Sequence, residues 1–282
     1  GRMLEKLEAV MIKESPDLVL VYGDTNSTLA ASLAASKLHI KIAHIESGLR
    51  SYNKLMPEEK NRLITDHLSD FLFCPTETAV DNLRKEGLKN GVHLVGDIML
   101  DLSIYANEII STQNANIENK YNKDYVLLTL HRPENTDNKI RLEEIFKAMN
   151  KISKDIEIVM PIHPRTKKII AGKTKWLDRI KIIDPQPYLS FTILQKSAKA
   201  IFTDSGGLQK EAFFNSVPCI TLRDETEWKE TVDLGWNDVV GANHRAIIEA
   251  WKSIDHKKRV NNVSPYGEGD AAKRIMNIIS SP

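Results

Sequence analysis

The chain has 282 residues, of which 41% are hydrophobic and 27% are charged. This length allows two domains of ordinary size, and the balance of 39 Lys and Arg against 38 Asp and Glu gives no general electrostatic case for binding nucleic acid or anionic lipid. No apolar run approaches the roughly 18 residues needed to span a bilayer, so neither nucleic acid nor a membrane is an expected partner.

Helix-like and strand-like segments alternate along the first third of the chain. Helical spacing of apolar residues predicts helices over 4–12, 27–38, 58–68 and 76–85. Continuous apolar runs predict strands over 18–22, 40–45, 71–74 and 92–95. Because strands buried on both faces and joined by helices are typical of parallel sheets, we predict a Rossmann-like domain over 1–110.

A second alternating region follows a polar stretch. Residues 111–123 are rich in Gln and Asn and nearly free of apolar side chains, so they are the predicted linker. Beyond them, strands are predicted over 125–130, 156–160, 180–183, 200–203, 219–222 and 239–240. We predict a second Rossmann-like domain over 124–265 and a terminal segment over 266–282, whose helix packs back on the first domain. The fold class is therefore α/β, with two doubly wound domains.

The start of the chain is unusual for such a domain. A doubly wound domain usually opens with a strand and a glycine-bearing turn. This chain opens with a helix and without an initiator methionine, and fewer strands are predicted in its first domain than in its second. We therefore expect the first domain to be incomplete and to lack its first strands.

One strand end has the pattern of a phosphate-binding turn. A strand-like run is followed by Asp204, Ser205, Gly206 and Gly207, and the sequence then becomes compatible with a helix. Two glycines let backbone N–H groups approach an anion, the helix N-terminus adds donors and a positive dipole end, and Ser205 adds a hydroxyl. Glu211, further along the helix, is placed to bind a ribose hydroxyl. An ordinary strand-to-helix turn is the alternative interpretation.

Carboxylates follow the strands of the first predicted domain. Asp24 comes after the first strand, Glu46 after the second, and Glu58 opens a predicted helix. Because the carboxyl ends of parallel strands meet at one edge of a sheet, we expect these groups to converge there with His44 and Arg50.

Each of these residues also has a structural interpretation. Asp24 is suited to cap a helix, and Glu58 and Glu59 are suited to complement the dipole of the helix that they open. His44 is equally compatible with a satisfied interior position. The pattern alone leaves both interpretations open.

Two histidines stand at strand ends in the second predicted domain. His131 follows one strand and precedes Arg132 and a proline, while His163 follows the next strand and precedes a proline and an arginine. Because proline prevents a strand from continuing, we predict that both histidines lie at the carboxyl edge of the second sheet.

The sequence predicts neither a metal site nor a bound cofactor. No His or Glu pair has the close spacing that specifies a metal. The sequence contains no P-loop and no dinucleotide-binding fingerprint, which argues against an ATPase or a dehydrogenase. Cys74 and Cys219 lie in separate apolar runs, so we expect two core residues and a cytoplasmic location.

Seven short motifs stand in order along the chain. They are Gly23-Asp24-Thr25, His44-Ile-Glu46-Ser-Gly48-Leu-Arg50, Pro57-Glu58-Glu59-x-Asn61-Arg62, Thr129-Leu-His131-Arg132-x-Glu134-Asn135, His163-Pro164, Asp204-Ser205-Gly206-Gly207-x-Gln209-x-Glu211 and Arg223-x-x-Thr226-Glu227. In content and order they resemble the non-hydrolysing UDP-N-acetylglucosamine 2-epimerases. The resemblance covers nearly the whole chain and implies a glycosyltransferase-B architecture, with UDP held mainly by the C-terminal domain and the sugar in the cleft.

The resemblance also implies an activity and a set of site residues. The activity is epimerisation at C2 of a UDP-N-acetylhexosamine through elimination and re-addition of UDP, for cell-surface polysaccharide precursors, by an enzyme expected to be a homodimer. The resemblance implies acid/base or charge-stabilising roles for Asp24, Glu46 and Glu58. It implies that His131 stabilises the departing diphosphate. The residues that it implies contact the UDP-sugar are Arg50, Arg132, Glu134, Asn135, Tyr188, Ser205, Gly206, Gly207 and Glu211. His163 matches a position that contacts a regulatory sugar nucleotide in bacterial members.

Two departures from the family pattern bear on activity and substrate. The family's N-terminal Gly-x-Arg-Pro-Glu loop is absent from the sequence, so we expect little or no activity from this chain. At positions 226–230 the sequence reads Thr-Glu-Trp-Lys-Glu where many relatives have Glu-Arg-Pro-Glu, which leaves room for a sugar other than N-acetylglucosamine. The alternative functions are a non-catalytic UDP-sugar-binding module and a glycosyltransferase of the same fold.

Overall fold

The computed structural model describes residues 1–112, 124–172, 176–177 and 179–280. The chain divides into two compact units, one formed by Gly1–Leu102 with Ser264–Pro282 and the other by Ser103–Val263. Each unit contains one parallel sheet with helices on both faces. Within the described ranges, every helix is too short or too polar to cross a membrane.

The first unit is built on a four-stranded sheet. Its strands are β1 (Leu18–Tyr22), β2 (Lys41–Ile45), β3 (Phe71–Cys74) and β4 (Val92–Leu94). They pair in parallel and in chain order. Its helices are α1 (Arg2–Glu14), α2 (Asn26–Lys37), α3 (Pro57–Leu68), α4 (Glu77–Lys85) and α13 (Ala271–Ile279). Helix α5 (Ile98–Thr112) begins in this unit and ends in the other.

Apolar side chains cover both faces of this sheet. Successive residues of a strand point to opposite faces. Accordingly, Ile42 of β2 packs with Met11 of α1 and Ala34 of α2, whereas the adjacent Ala43 packs with Ile275 of α13. The helix at the C-terminal end of the chain therefore covers one face of the first sheet.

The second unit is built on a six-stranded sheet. Its strands are β5 (Tyr125–Thr129), β6 (Glu157–Pro161), β7 (Ile180–Ile183), β8 (Ala200–Thr203), β9 (Cys219–Thr221) and β10 (Asn237–Val239). Its helices are α6 (Pro133–Thr136), α7 (Lys139–Ile152), α8 (Pro164–Ile170), α9 (Tyr188–Ser197), α10 (Gly206–Phe214), α11 (Lys229–Asp233) and α12 (His244–Ser253). Helices α7 and α12 pack on one face, and α9 and α10 pack on the other.

The strand order of the second sheet defines where a ligand binds. The order is β10-β9-β8-β5-β6-β7, so chain order reverses between β5 and β8. This is the order of a Rossmann sheet, in which ligands bind at the carboxyl ends of strands beside the reversal. Thr129 and Thr203 are paired there, and their hydroxyl oxygens are 2.6 Å apart. The turns that follow these two residues therefore form the expected binding edge.

The predicted α/β fold is confirmed, with one correction near the linker. All ten predicted strands are present, and their pairings are parallel. The stretch predicted as a linker over 111–123 begins inside α5, because Ser111 and Thr112 donate hydroxyl hydrogen bonds to the carbonyl of Glu108 at 2.9 and 2.7 Å. Polar side chains that bond to the preceding helical turn are compatible with a helix end. Residues 113–123 lie outside the described residues.

Substitution of two glycines in the first unit tests how closely its chain segments pack. Both have positive φ, but a Cβ on Gly48 would lie 2.3 Å from the carbonyl oxygen of Ala79, whereas one on Gly87 would meet no atom within 4 Å. Alanine in this conformation costs about 1 kcal/mol, which is the loss that we expect for Gly87→Ala. For Gly48→Ala we expect a loss of about 3 kcal/mol or more, because backbone atoms must also move. Urea unfolding measures both, and equal losses would contradict the close approach.

Candidate active site

Three carboxylates lie at the carboxyl edge of the first sheet. Asp24 follows β1, Glu46 follows β2, and Glu58 lies in the first turn of α3. All three residues are half-buried. Ligands of open parallel sheets bind at this edge, so the fold places the three groups where a substrate is expected.

Asp24 is held by two residues of α3. Its Oδ2 accepts hydrogen bonds from Nε and Nη2 of Arg62 at 3.0 and 2.8 Å, and its backbone carbonyl accepts one from Nδ2 of Asn61 at 2.8 Å. The N-cap of α2 is Thr25, so the interpretation of Asp24 as the helix cap is wrong. The carboxylate is therefore fixed by a buried guanidinium, yet 29% of the side chain is exposed.

The second glutamate of the adjacent pair in α3 is structural. Arg62 donates from Nη1 to Oε2 of Glu59 at 2.6 Å, and both residues are almost fully buried. Glu59 also accepts from N and Oγ of Ser51, both at 2.9 Å, and from N of Tyr52 at 2.8 Å. Glu59 therefore anchors the turn that precedes α3, which leaves Glu58 as the half-buried carboxylate of the pair.

Glu46 has a strained backbone beside the first strand's turn. Its φ is +70°, which is uncommon for a residue other than glycine and is often found at functional sites. Its Oε2 lies 3.1 Å from the position that a Cβ on Gly23 would occupy. The Glu46 carboxylate therefore rests against the residue that immediately precedes Asp24.

His44 and Arg50 lie inside the first unit. His44 is fully buried, with Nδ1 2.6 Å from Oδ1 of Asp66 and Nε2 2.8 Å from the carbonyl oxygen of Gly23. The guanidinium of Arg50 is 2.7 Å from Asp66 and 2.6 Å from Glu86. The structure therefore favours the interior interpretation of His44. It does not support the predicted contact of Arg50 with substrate, because these carboxylates occupy its guanidinium.

Asp66 stays ionised in the interior because of its partners. Burial alone raises the pKa of Asp66, but the charges and hydrogen bonds of His44 and Arg50 outweigh burial, so the pKa is lowered. Burial and the charge of Asp66 raise the pKa of the nearby Cys74 thiol. His44 and Arg50 therefore compensate the carboxylate of Asp66, and the Cys74 thiol beside it stays neutral.

A buried carboxylate also organises the edge of the second sheet. Asp204 follows β8, is fully buried, and accepts the backbone N–H of His131 at 3.0 Å and that of Arg132 at 3.1 Å. The side-chain amide of Asn135 donates to it at 3.2 Å. These hydrogen bonds join the end of β5 to the end of β8. Asp204 therefore stabilises the turn and does not bind a ligand.

The structure brings together the two strand-end histidines. The ring centroids of His131 and His163 are 5.6 Å apart. Nδ1 of His131 is 3.2 Å from Oδ1 of Asp204, and 35% of the His131 side chain is exposed. His163 is the N-cap of α8, where its ring accepts the N–H of Arg165 at 3.2 Å. Asp204 therefore orients His131 while part of the ring remains accessible.

The predicted phosphate-binding turn is the start of a helix at the strand reversal. Ser205 is the N-cap of α10, which begins at Gly206. A Cβ on Gly206 would lie 2.6 Å from Oε1 of Glu227, whose carboxylate is 3.0 Å from the guanidinium of Arg223. Gly207 is half-buried in the same turn. The first N–H groups of a helix have no partner within it, so the turn is suited to an anion.

Glu211 lies about a turn and a half into α10. It is 8% exposed, and its Oε2 accepts from Nε2 of Gln195 in α9 at 2.8 Å. Burial raises the pKa of Glu211, outweighing the hydrogen bonds from Gln195 and Tyr188. Burial and the charge of Glu211 raise the pKa of Tyr188 to about 12. Glu211 is therefore a poorly hydrated acceptor that a ligand hydroxyl would stabilise.

The three predicted contacts that follow β5 differ in their surroundings. Asn135 is fully buried, and its amide donates to Asp204 and, at 2.8 Å, to the carbonyl of Leu222. Its predicted contact with a UDP-sugar is therefore not supported. Arg132 is half-buried at the start of α6. Glu134 is exposed as a whole in the first turn of that helix, but partial burial of its carboxyl raises its pKa. Their contacts with substrate remain predictions.

The segment before α11 packs against α10. Trp228 is 3% exposed, and Nζ of Lys210 lies 3.9 Å from its ring centroid. Oγ1 of Thr226 donates to Oε1 of Gln209 at 2.6 Å. The indole of Trp228 therefore packs against α10.

The polar buried face of α3 is the feature that sequence analysis did not identify. A surface helix usually buries an apolar stripe. The buried residues of α3 are instead Glu59, Asn61, Arg62, Thr65 and Asp66. Three of these are charged and separated by three and four residues, which places them on one helix face. This charged stripe was the signal available in the sequence.

Two Rossmann-like domains, with a helix start suited to an anion at a strand reversal and carboxylates at the edge of the other sheet, define a protein of the glycosyltransferase-B class. A family model described as UDP-N-acetylglucosamine 2-epimerase matches residues 1–280. The chain belongs to this family, which confirms the resemblance found in its motifs.

The relatives include enzymes with two different named substrates. A UDP-N-acetylglucosamine 2-epimerase of Methanocaldococcus jannaschii is 47% identical over 99% of this chain and 80% of its own length. A UDP-2,3-diacetamido-2,3-dideoxy-D-glucuronate 2-epimerase of Pseudomonas aeruginosa is 45% identical over 99% of this chain and 79% of its own length. The crystal structure of the M. jannaschii enzyme in complex with UDP-GlcNAc and UDP has a TM-score of 0.93 at 46% identity, and covers 99% of this chain and 80% of that one.

The raised pKa of Glu211 predicts a pH-dependent stability. Because the folded pKa lies above the unfolded value of about 4.3, the stability contributed by the protonated form is complete below that value and is lost as pH rises through the folded pKa. Glu211→Gln imitates the neutral carboxyl. We therefore expect its thermal midpoint to exceed that of the parent at about pH 8 and to match it at about pH 4.

Calorimetry at both pH values measures this difference. The exposed Glu249 of α12 provides the matched control, Glu249→Gln. If the rise in thermal midpoint at about pH 8 is no larger for Glu211→Gln than for Glu249→Gln, the prediction is wrong.

Proposed function

We propose that the protein epimerises C2 of a UDP-N-acetylhexosamine by elimination and re-addition of UDP. The observation that carries the proposal is the set of three half-buried carboxylates, Asp24, Glu46 and Glu58, at one sheet edge in a chain of this family. UDP-N-acetylglucosamine is the first substrate to test, because the similar M. jannaschii enzyme was solved with it.

The chemistry explains why several carboxylates are needed. No carbonyl acidifies the proton on C2, so its removal must accompany departure of the leaving group. One group takes the proton, the C–H electron pair forms a C1–C2 double bond, and the C1–O electron pair leaves with UDP. Return of UDP to C1 accompanies delivery of a proton to the opposite face of C2. Two opposed acid/base groups are therefore required, and the three carboxylates supply them.

We assign UDP binding to the second unit. The diphosphate is placed at the start of α10, where Ser205, Gly206 and Gly207 surround a helix N-terminus. Glu211 accepts a ribose hydroxyl, which replaces the hydration that burial removes from its carboxyl. His131 stabilises the charge on the departing diphosphate. Support for this role is the orientation of its ring by a buried carboxylate beside the turn.

Further contacts and the cellular setting follow from the same proposal. Tyr188 begins α9, where the helix start is suited to a uracil ring, and His163 lies beside His131, where a second sugar nucleotide is proposed to bind. We also infer a cytoplasmic homodimer. Two buried free cysteines, Cys74 and Cys219, fit a reducing compartment, and sedimentation tests the dimer.

Exchange of solvent deuterium into C2 of UDP-N-acetylglucosamine tests the reaction. The parent protein in these assays carries the family's Gly-x-Arg-Pro-Glu loop, without which little or no activity is expected. We expect this parent to catalyse exchange and Glu46→Gln to reduce the exchange rate by about 100-fold or more, because an acid/base group contributes on the order of 10²–10⁴. The Kd for UDP should stay within several-fold, since the proposed UDP contacts are in the other unit. The exposed Glu14 supplies the control, Glu14→Gln, which should exchange at the parental rate. Loss of UDP binding in Glu46→Gln would contradict the assignment.

The same assay distinguishes the alternative functions and the sugar. UDP-sugar binding without exchange would favour a non-catalytic binding module, and transfer of the sugar to an acceptor would favour a glycosyltransferase. Parallel reactions with UDP-N-acetylglucosamine and with the diacetamido-glucuronate substrate of the P. aeruginosa relative rank the two sugars.

A further inference from the structure

A network of charged side chains lies beneath the carboxyl edge of the first sheet. His44 of β2 and Asp66 of α3 are both fully buried, with Nδ1 and Oδ1 2.6 Å apart. Arg50 joins Asp66, at 2.7 Å, to Glu86, at 2.6 Å. The Cys74 thiol of β3 is close enough to Asp66 for the carboxylate charge, together with burial, to keep it neutral. If His44 is protonated, two positive charges balance two negative ones.

The hydrogen bonds of His44 determine its protonation. Nε2 lies 2.8 Å from the carbonyl oxygen of Gly23, which can only accept. Nδ1 faces the carboxylate of Asp66, whose other oxygen accepts from Arg50 and, at 3.2 Å, from the N–H of Gly48. Beside an ionised Asp66, a neutral imidazole has a single donor, so it would leave two acceptors facing each other in the interior. This geometry therefore fits an imidazole that carries a proton on each ring nitrogen.

Asp66 holds the loop of Glu46 from both sides. His44 lies two residues before Glu46, Gly48 two residues after it and Arg50 four residues after it, and all three bond to Asp66. Glu46 itself has a φ of +70°. A strained conformation persists only where the surrounding structure holds it. These three attachments supply that restraint.

The network also reaches the turn of Asp24. The Nε2 proton of His44 fixes the carbonyl of Gly23, and Oε2 of Glu46 lies 3.1 Å from the position of a Cβ on that glycine. We propose that the buried His44–Asp66 ion pair is a positioning device that sets the separation of the Asp24 and Glu46 carboxylates. The positioning role rests on the proposed C2 epimerisation, whereas the ion pair itself is inferred from the geometry alone.

Nitrogen-15 NMR of the histidine-labelled parent tests the ion pair without any substitution. We expect a directly bonded proton on each ring nitrogen of His44 at neutral pH. The signals are assigned by their loss in His44→Gln. A single ring proton on His44 would overturn the ion pair, whether or not the protein is an epimerase.

Two variants test the positioning role. His44→Gln removes one of the two donors, and Asp66→Asn removes the charge with little change of shape. We expect each to lower the rate of C2 deuterium exchange by about 100-fold, because a displacement of about 1 Å at reacting groups has an effect of that size. The Kd for UDP should not change. The exposed His67 and Asp81 provide the controls, His67→Gln and Asp81→Asn, with parental rates expected.

The outcomes separate the inference from the proposed function. Circular dichroism first shows which of the two variants is folded, and either one suffices. A folded variant that exchanges at the parental rate would overturn the positioning role. A parent without exchange would overturn the proposed function and the positioning role together, while the NMR result would still decide whether the ion pair exists.

Discussion

At the carboxyl edge of each sheet, a fully buried carboxylate holds the loops that follow the strands: Asp66 in the first unit and Asp204 in the second. Removing a carboxylate from water costs several kcal/mol unless hydrogen bonds and opposite charge replace its hydration. In the first unit the replacement comes from His44 and Arg50, and in the second it comes from N–H groups of the turn after β5. The loops that follow the strands have little freedom, because any departure would leave a buried charge without partners.

The two ways of compensating a buried carboxylate suit different tasks. In the first unit, the ring of His44 and the guanidinium of Arg50 compensate Asp66, and the half-buried Asp24 and Glu46 lie at an edge where proton transfer is proposed. In the second unit, backbone dipoles serve Asp204, while the start of α10 beside it offers further N–H groups to a ligand. Backbone donors are thus divided between an internal carboxylate and the proposed diphosphate. One edge is suited to remove a proton, and the other to hold an anion.

Sequence patterns predicted the sheets and the residues at their edges, because both depend on local information. Apolar runs locate the strands, and whatever follows a parallel strand lies at the carboxyl edge, as it does for Glu46 and His131. Arg50 and Asn135 stand four residues after these two, and spacing does not show that their side chains return to the interior. Their direction is set by partners distant in sequence: Asn135 bonds to Asp204 across 69 residues. Such pairings depend on the folded arrangement and not on the local pattern.

In the first unit, helix α3 carries both a proposed reacting group and the side chains that hold the other two carboxylates. It carries Glu58, the guanidinium that holds Asp24, and the carboxylate that restrains the loop of Glu46. A buried polar face of this kind is seldom the most stable choice, since well-packed apolar residues often replace buried ion pairs without loss. A helix is, however, more rigid than a loop, and groups fixed to it keep their spacing. The charged stripe of α3 is therefore best explained by the positions that it fixes for Asp24, Glu46 and Glu58. An apolar face would have made the protein more stable but would not have fixed these positions.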